Sequence, residues 1–559
     1  MSKRAGWALF LAAAALFLLL NHAAYKGYFQ DDDLDTLSWA RVLPATAFLE
    51  TLLTPRLHPD NFRPVGAFYY RFIGNRFGLD FPKYLAPLNL LHLLNVWLLW
   101  LLARKLGLRP LAAAAGAFFF GFHAVLFDAW WKPMYVFDVL CATFSLCSLL
   151  LYAYDRWILS LIAVWLAYKS KELAVMLPAV LACYEFWFGQ KRWKRLLPFF
   201  AVSLLFGLQA LIIQPHRGTQ YALRLGWDAQ AAAAGYYASH LFLLPYAGLI
   251  LIPLPFLVRD RRLWFGFAAM CLLMVPLLAL PQHLFAVYWY LPLIGAAIML
   301  ATLADGRYRV IVALFLLLWI PWDFLQFREL RRLNERRERQ NRAYVTEVEN
   351  YARVHPDQRV FVYDLLPEGF QLWGLTGALT CIFHRVGTVT RHIDKPGAKQ
   401  LLDSGEAAWL HWNPVAARLD IVQYPQVQPM LPYLAMNIRT PGSQLLSGWH
   451  SLEENFRWTE PDASALLLRP EGAKHFEIVA CSVPEQVRAG PVQLRVLQDA
   501  EFLGSHQFTT AGCETLRWPA DGGAPRKVRI EIHATPPFRA APDPRLLGIN
   551  VKAFGFVSD

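Results

Sequence analysis

Charge is scarce in this sequence. Asp, Glu, Lys and Arg make up 17% of its 559 residues, against about 25% in ordinary soluble domains, which excludes a chain that is soluble along its whole length. Cysteine is sparse too: there are seven, with no CxxC pair and no Cys/His spacing of the metal-holding kind. No glycine-rich phosphate loop is present, so no nucleotide is inferred. Paired internal repeats with interrupted helices, the signature of many transporters, are not evident either.

Apolar residues take the place of charge. They are 56% of the chain, and the mean hydropathy is +0.30. They fall in blocks of roughly 20 residues, the length at which a helix crosses about 30 Å of hydrocarbon. The expected spans are 5–22, 84–103, 110–127, 134–154, 157–168, 173–189, 196–213, 233–258, 263–280, 284–304 and 308–326. The fold class expected is therefore an α-helical polytopic membrane bundle of about 11 transmembrane helices over residues 1–326, followed by about 230 residues of mixed composition.

Every second connection is basic. With the N-terminus inside, the cytoplasmic side collects Lys3 and Arg4, then Arg104, Lys105 and Arg109, then Arg156, then Lys191, Arg192, Lys194 and Arg195, then Arg259, Arg261 and Arg262, then Arg307 and Arg309. That alternation follows the positive-inside rule and sends residues 327–559 to the outside. The net charge of +12 reads as topology plus anionic-lipid contact, with no nucleic-acid partner. The first span also has the shape of a signal peptide, with small residues near Asn21-His22-Ala23-Ala24. It is expected to stay, because the bundle needs the helix and an acidic run follows at once. Of the cysteines, Cys141, Cys147, Cys183 and Cys271 fall in spans as small hydrophobes. Cys381, Cys481 and Cys513 fall outside, where a disulfide is allowed. Cys481 and Cys513, each beside a turn between strands, are the expected neighbours.

Beyond the spans, residues 327–350 form a basic linker helix, 351–440 a small α/β module and 441–559 an all-β, jelly-roll-like sandwich. The strands are read from runs such as Arg359-Val360-Phe361-Val362 and Val492-Gln493-Leu494-Arg495, separated by Pro/Gly turns. Trp449 and Trp458 are the candidates for stacking on a sugar face, although core tryptophans are commoner.

Polar residues set at membrane level are functional candidates by default. Asp31, Asp32, Asp33 and Asp35 put four carboxylates into five positions just after the first span. Asn61-Phe62-Arg63-Pro64 follows in the first loop. His123 and Asp128 flank the end of the third span, Asp138 opens the fourth, and Lys169-Ser170-Lys171-Glu172 sits at an outer junction. Each has a structural alternative: Lys171 can snorkel, Asp138 can pair structurally, and Asn89 and His92 can form an interhelical hydrogen bond. Together, acids facing a guanidinium and ammonium groups pair a general base with phosphate-binding cations.

The run Phe29 to Asp33, then Asn61-Phe62-Arg63-Pro64, then Asn89-Leu90-Leu91-His92 resembles the bacterial type C (GT-C) membrane glycosyltransferases, including the protein O-mannosyltransferase-like proteins. His123 to Asp128 with Asp138 is similar to their HPxxxE…D stretch, Ser170-Lys171-Glu172 with Pro178 to their SKE…P element, and Tyr288-Trp289-Tyr290-Leu291-Pro292 to their late RYxYLP. Ala124 stands where proline is usual and Val287 where arginine often stands, leaving Arg63 or Lys171 to meet the donor phosphate. The resemblance covers residues 1–326. It implies inverting transfer of a sugar from a polyprenyl-phosphate donor to an extracytoplasmic glycan, lipid or protein at the outer face of the bacterial inner membrane.

On that reading Asp31 or Asp32 is the base, and Asp33 and Asp128 orient the acceptor. Arg63 and Lys171 bind the donor phosphate. His92, His123, Asp138, Glu172, Tyr288 and Tyr290 are secondary. A divalent cation (Mg or Mn) on Asp31, Asp32 and Asp128 is an option, and membrane lipid is a partner. The competing readings are a polar-lipid transporter or flippase, and a non-catalytic envelope-glycan assembly or binding protein. The topology is directly testable: reporter fusions at Gly107 and Gln190 should be cytoplasmic and one after Arg328 extracytoplasmic, and a cytoplasmic C-terminal reporter would invert every placement.

Overall fold

The computed structural model describes residues 3–55, 62–213, 223–224, 226–423, 430–440, 442–520, 523–539 and 545–558. The chain divides into two compact units. The first comprises residues 1–342 and 368–384, and the second residues 343–367 and 385–559.

The first unit is helical. Among the described residues, four helices are long and apolar enough to cross a membrane, or five if the bent pair Pro110–Phe122 and Ala124–Trp131 is one span. Eleven spans were expected, and the difference has a local cause. Several apolar blocks are broken by short 3-10 turns, at Ala124–Leu126, Ala247–Leu251 and Ala286–Tyr290, and another is shortened at its start by Glu172–Met176. Hydropathy averaged over a window cannot register such breaks, whereas the backbone must bend at each. The block read as 157–168 becomes the helix Trp157–Ser170, and extended backbone at Lys171 separates it from the next turn. By contrast, the expected last span and the basic segment after it form one helix, Arg309–Val354, of 46 residues.

Glycines let the helices of this unit approach closely. The helix Leu372–Phe383 docks on the helix Asp33–Val42. A Cβ on Gly377 would lie 2.5 Å from the carbonyl carbon and oxygen of Leu34, so only glycine permits this contact.

The second unit holds two sheets. In the smaller, the strand Val360–Tyr363 lies between Val389–His392 and Ala407–Asn413, parallel to both, with Arg418–Gln423 antiparallel at the edge. The larger has nine strands, seven of them in one continuous path and two paired alongside it, Tyr433–Ala435 with Asn550–Val557 and Leu445–Glu453 with Phe456–Arg469. Its two ends are Glu501–Phe508 and Gly512–Pro519, and they nearly meet: a Cβ on Gly504 would lie 2.3 Å from the Trp518 ring. One nearly closed sheet thus stands where two separate jelly-roll sheets were expected. Leu467, Phe476, Ile478, Leu494, Ile530 and Phe554 fill its interior.

Cys481 and Cys513 are directly opposite on adjacent strands and form a disulfide, as their turn-flanking positions foretold. Of the two candidate sugar platforms, Trp458 is buried and Trp449 is partly buried against the core. Trp449 stacks at 5.4 Å on Phe554 and donates its indole N–H to the Ser464 carbonyl at 2.9 Å. Trp458 is 7% exposed and packs with Phe538 and Leu547. Trp458 is enclosed and Trp449 has one ring face against Phe554, so sugar binding is not assigned to them. Gly377→Val should force the two docked helices apart, costing at least about 1–3 kcal/mol; a thermal melt indistinguishable from the parent would refute this packing.

Candidate functional site

The acidic run is held as a tight turn leading into the helix Asp33–Val42. Asp31 has φ +44, the left-handed region that Asp tolerates through its short polar side chain. Its N–H donates to the Gly369 carbonyl at 3.1 Å. Asp33 points inward, where its carboxylate accepts from the Gln30 N–H at 3.0 Å and the Tyr70 hydroxyl at 2.7 Å. Burial raises its pKa to about 7, against the lowering effect of those donors. Asp33 therefore braces the turn and does not line the cavity, in contrast to its expected acceptor-orienting role.

A second clamp grips the turn from the long helix. Glu338 accepts from the Gln30 amide at 3.0 Å and the Trp131 indole at 2.6 Å. Asn341 donates to the Phe29 carbonyl at 3.0 Å. The residues adjoining Asp31 and Lys132 are thus fixed by a single buried carboxyl group.

Asp31, Asp32 and Asp35 reach one cavity of about 1240 Å³. Asp32 accepts a 2.7 Å hydrogen bond from the Trp373 indole. Its pKa is raised, chiefly by burial and further by Asp31, while Trp373, Arg63 and Lys171 pull it back. Asp35 is pushed to about 6, again by burial first and then by Asp32. Asp31 lies 3.5 Å from the Lys132 ammonium, which also lies 3.3 Å from Asp128.

Both predicted cations line the same cavity. Arg63 precedes Pro64, which starts the helix Pro64–Phe77 and holds Arg63 in extended backbone. Its guanidinium forks onto Glu172 at 3.0 and 2.8 Å and lies 5.7 Å from the centre of the Phe137 ring. Lys171 occupies the helix break and donates to both Asp138 oxygens at 2.8 and 2.7 Å, 4.7 Å from the Tyr288 ring centre. The Glu172 side chain is 52% exposed, toward the cavity. Burial works to raise its pKa, but Arg63 and Lys171 overcome this and hold it at about 2. Tyr288 is hydrogen-bonded to His283 at 2.7 Å.

Five carboxylates thus share this cavity with Arg63 and Lys171. Away from them the walls become apolar, with Phe200, Leu204, Phe206, Leu277, Leu280 and Phe285. The arrangement suits an amphiphile: an anionic head can meet Arg63 by displacing or sharing Glu172, while a hydrocarbon tail occupies the apolar part.

Other expected residues lie elsewhere. His92 is buried, hydrogen-bonded through Nδ1 to the Tyr290 hydroxyl at 2.7 Å and through Nε2 to the Gly121 carbonyl at 3.0 Å. The carbonyl can only accept, so Nε2 carries the proton. Tyr290 also accepts from Asn95 at 3.1 Å. His123 caps the following turn by accepting from the Val125 N–H at 3.2 Å and lies 3.4 Å from Asp323. These three join helices in the interior and do not line the cavity. Asp128 is tied to Lys132, and among the described residues no group of three or more His, Cys, Asp or Glu side chains could hold a metal. An ammonium lies between Asp31 and Asp128, so the proposed cation set does not fit and no step is routed through a metal. Asn61 lies outside the described residues.

Trp373 and Gln371, which line the cavity, and Lys132, beside Asp31 and Asp128, were not foreseen. Trp373 is 341 positions from Asp32, in a segment read from sequence as part of the α/β module. Lys171→Ala should act first on stability, because it strands Asp138 without a partner, at about 3–5 kcal/mol. The double variant Lys171→Met/Asp138→Leu should recover much of that loss; a fully stable Lys171→Ala protein would contradict the pairing.

No protein-family model matches the sequence, and no curated protein matches it. Among solved structures, the chain is similar to ArnT from Cupriavidus metallidurans bound to undecaprenyl phosphate, with 14% identity, a TM-score of 0.44, and coverage of 73% of this chain and 94% of that one. It is also similar to the arabinofuranosyltransferase AftD from Mycobacteria, with 12% identity, a TM-score of 0.40, and coverage of 99% of this chain but 58% of AftD. Similarity at this level does not establish a shared fold.

Proposed function

We propose that this chain is a GT-C-type membrane glycosyltransferase that moves a sugar from a polyprenyl-phosphate donor to an acceptor hydroxyl at the outer face of the inner membrane, with residues 327–559 extracytoplasmic. The observation that carries this reading is the single cavity joining Asp31, Asp32, Arg63 and Lys171 to apolar walls. A soluble sugar nucleotide would have no use for those walls, whereas a lipid-linked sugar needs both ends.

In this mechanism Asp32 is the base. Asp31 stands 3.5 Å from the Lys132 ammonium, with which an acceptor hydroxyl would have to compete, while Asp32 accepts a hydrogen bond from the neutral Trp373 indole and has no ion pair among the described residues. The acceptor O–H gives its proton to Asp32 as its oxygen attacks the anomeric carbon. The bond from that carbon to the phosphate oxygen breaks, and the lipid phosphate leaves with the electron pair. Attack from the face opposite the leaving group inverts the sugar. Arg63 stabilises the negative charge gathering on the phosphate. Lys171, committed to Asp138, acts mainly through its field and through its hold on the break beside Glu172. A protein, a glycan or a lipid can each supply the hydroxyl.

Asp32→Asn keeps the shape and removes the base, so transfer should fall by at least about 100-fold with donor binding retained. Undiminished transfer by a well-folded Asp32→Asn protein would end the assignment. Arg63→Ala should instead weaken binding of a short polyprenyl phosphate by about tenfold or more. The base must be deprotonated, so with burial raising the Asp32 pKa the rate should rise with pH through an inflection above that of an ordinary aspartate. A rate flat from acid to neutral pH would argue against Asp32.

A further inference from the structure

One stretch of chain joins the helical unit from far along the sequence. Residues 368–384 belong to that unit, while 343–367 and 385–559 do not. The Gly369 carbonyl accepts the Asp31 N–H, and Gly377 lets the helix Leu372–Phe383 close on the helix Asp33–Val42. The same stretch brings Gln371 and Trp373 to the cavity.

Packing does not account for Trp373. Its ring is 47% exposed, and among the described residues no other ring and no cation stacks on it. Its N–H is nevertheless fixed, at 2.7 Å from Asp32. A flat, largely apolar face is thus held in one orientation beside the proposed base. An indole presented in this way offers a large, rigid contact area at little cost in side-chain freedom, and the C–H side of a sugar ring is the complementary shape.

The polar groups beside the indole suit the hydroxyls of such a ring. Asp32, Asp35, Thr36 and Trp39 follow one another at steps of three and four residues, so they share a helix face, and all four line the cavity. Thr36 is only 6% exposed, yet its hydroxyl makes no hydrogen bond among the described residues. A buried hydroxyl is costly to leave unmatched. The side chains of Asp35 and Gln371 likewise make no hydrogen bond or ion pair among the described residues. Carboxylate, hydroxyl and amide groups without partners, next to an open indole, form a set that orients a polyol.

Three considerations narrow the ligand. The cavity carries five carboxylates against Arg63 and Lys171, both of which are already paired, so an anionic group on the acceptor side is repelled. None of the lining residues lies on a strand, so a peptide finds no edge to pair with. The apolar walls lie on other helices, where the donor tail is placed. We propose that Trp373 is the platform of an acceptor subsite, on which an uncharged sugar ring stacks while Asp35, Thr36 and Gln371 bind its hydroxyls. A ring seated there presents a hydroxyl to Asp32. The word acceptor rests on the transferase reading above; the saccharide site itself does not.

The test uses the full chain in a detergent without a sugar headgroup, with binding read by saturation-transfer NMR and titration in the absence of donor. The probes are a panel of neutral oligosaccharides built from hexoses, pentoses and N-acetylhexosamines, together with glucose 1-phosphate and a short Ser/Thr peptide. The parent should bind at least one neutral oligosaccharide more tightly than either of the other two. Trp373→Ala should weaken that binding by about tenfold or more, and Trp373→Phe, which keeps a ring, should recover most of it. Gln371→Ala should cost about three- to tenfold. Removing Trp227, an indole that is 82% exposed and does not line the cavity, should change nothing. Melting temperatures should match the parent, because the Trp373 ring and Gln371 are exposed. Binding of a short polyprenyl phosphate, measured on the same samples, should be equal in the parent and Trp373→Ala. A parent that binds sugars through Trp373 but no polyprenyl phosphate leaves the subsite standing and defeats the donor reading instead. The inference is overturned if no neutral oligosaccharide binds, if Trp373→Ala binds as well as the parent, or if the peptide or the sugar phosphate binds best.

Discussion

Lys171 and Asp138 are the pair on which the arrangement of the cavity depends. Their side chains are 9% and 3% exposed, and charges so far from water are tolerated only when each compensates the other. The ammonium reaches Asp138 because the helix Trp157–Ser170 stops one residue earlier and the backbone at Lys171 is extended. The same extension turns the next residue, Glu172, toward Arg63. Tyr288 is held against the ammonium from another part of the chain. One ion pair thus determines where a helix ends, which acid faces the guanidinium and how one wall of the cavity is closed.

This has a bearing on how the cations are used. Lys171 is saturated by a carboxylate that is itself enclosed, so an incoming anion would have to separate two charges that have nowhere else to go. Arg63 is saturated by a carboxylate that stands in the open cavity and can swing aside. The two pairs look alike in distance and differ in what lies behind them. Exposure, not separation, makes Arg63 the better anion ligand.

Much of the cavity could be read from the sequence, because polar residues inside apolar blocks are few. Asp31, Asp32, Arg63, Asp138, Lys171, Glu172 and Tyr288, spread over more than 250 positions, come to one cavity. The same reasoning also selected His92, His123 and Tyr290, which satisfy one another or neighbouring backbone in the interior. A polar side chain in an apolar helix either faces a site or bonds to the next helix, and only the rotation of the helices decides which. Trp373 and Lys132 escaped notice for a different reason: indole and ammonium groups outside the apolar blocks are ordinary, and their partners are distant in sequence. Long unbroken helices are fewer than the apolar blocks read as spans because hydropathy registers composition while the 3-10 breaks are matters of backbone geometry. In the β-rich part, strand positions were legible, but closure of the sheet depends on how its end strands meet.

The left-handed backbone at Asp31 also narrows the paths open to drift. Elsewhere Glu is the conservative neighbour of Asp, offering the same charge one methylene farther out. At φ +44 the longer side chain loses the local hydrogen bonding that lets Asp occupy this region, and Gly or Asn would keep the turn while giving up the charge. A descendant of this sequence can therefore keep the bend or keep an acid by changing position 31, but it has no cheap substitute that keeps both.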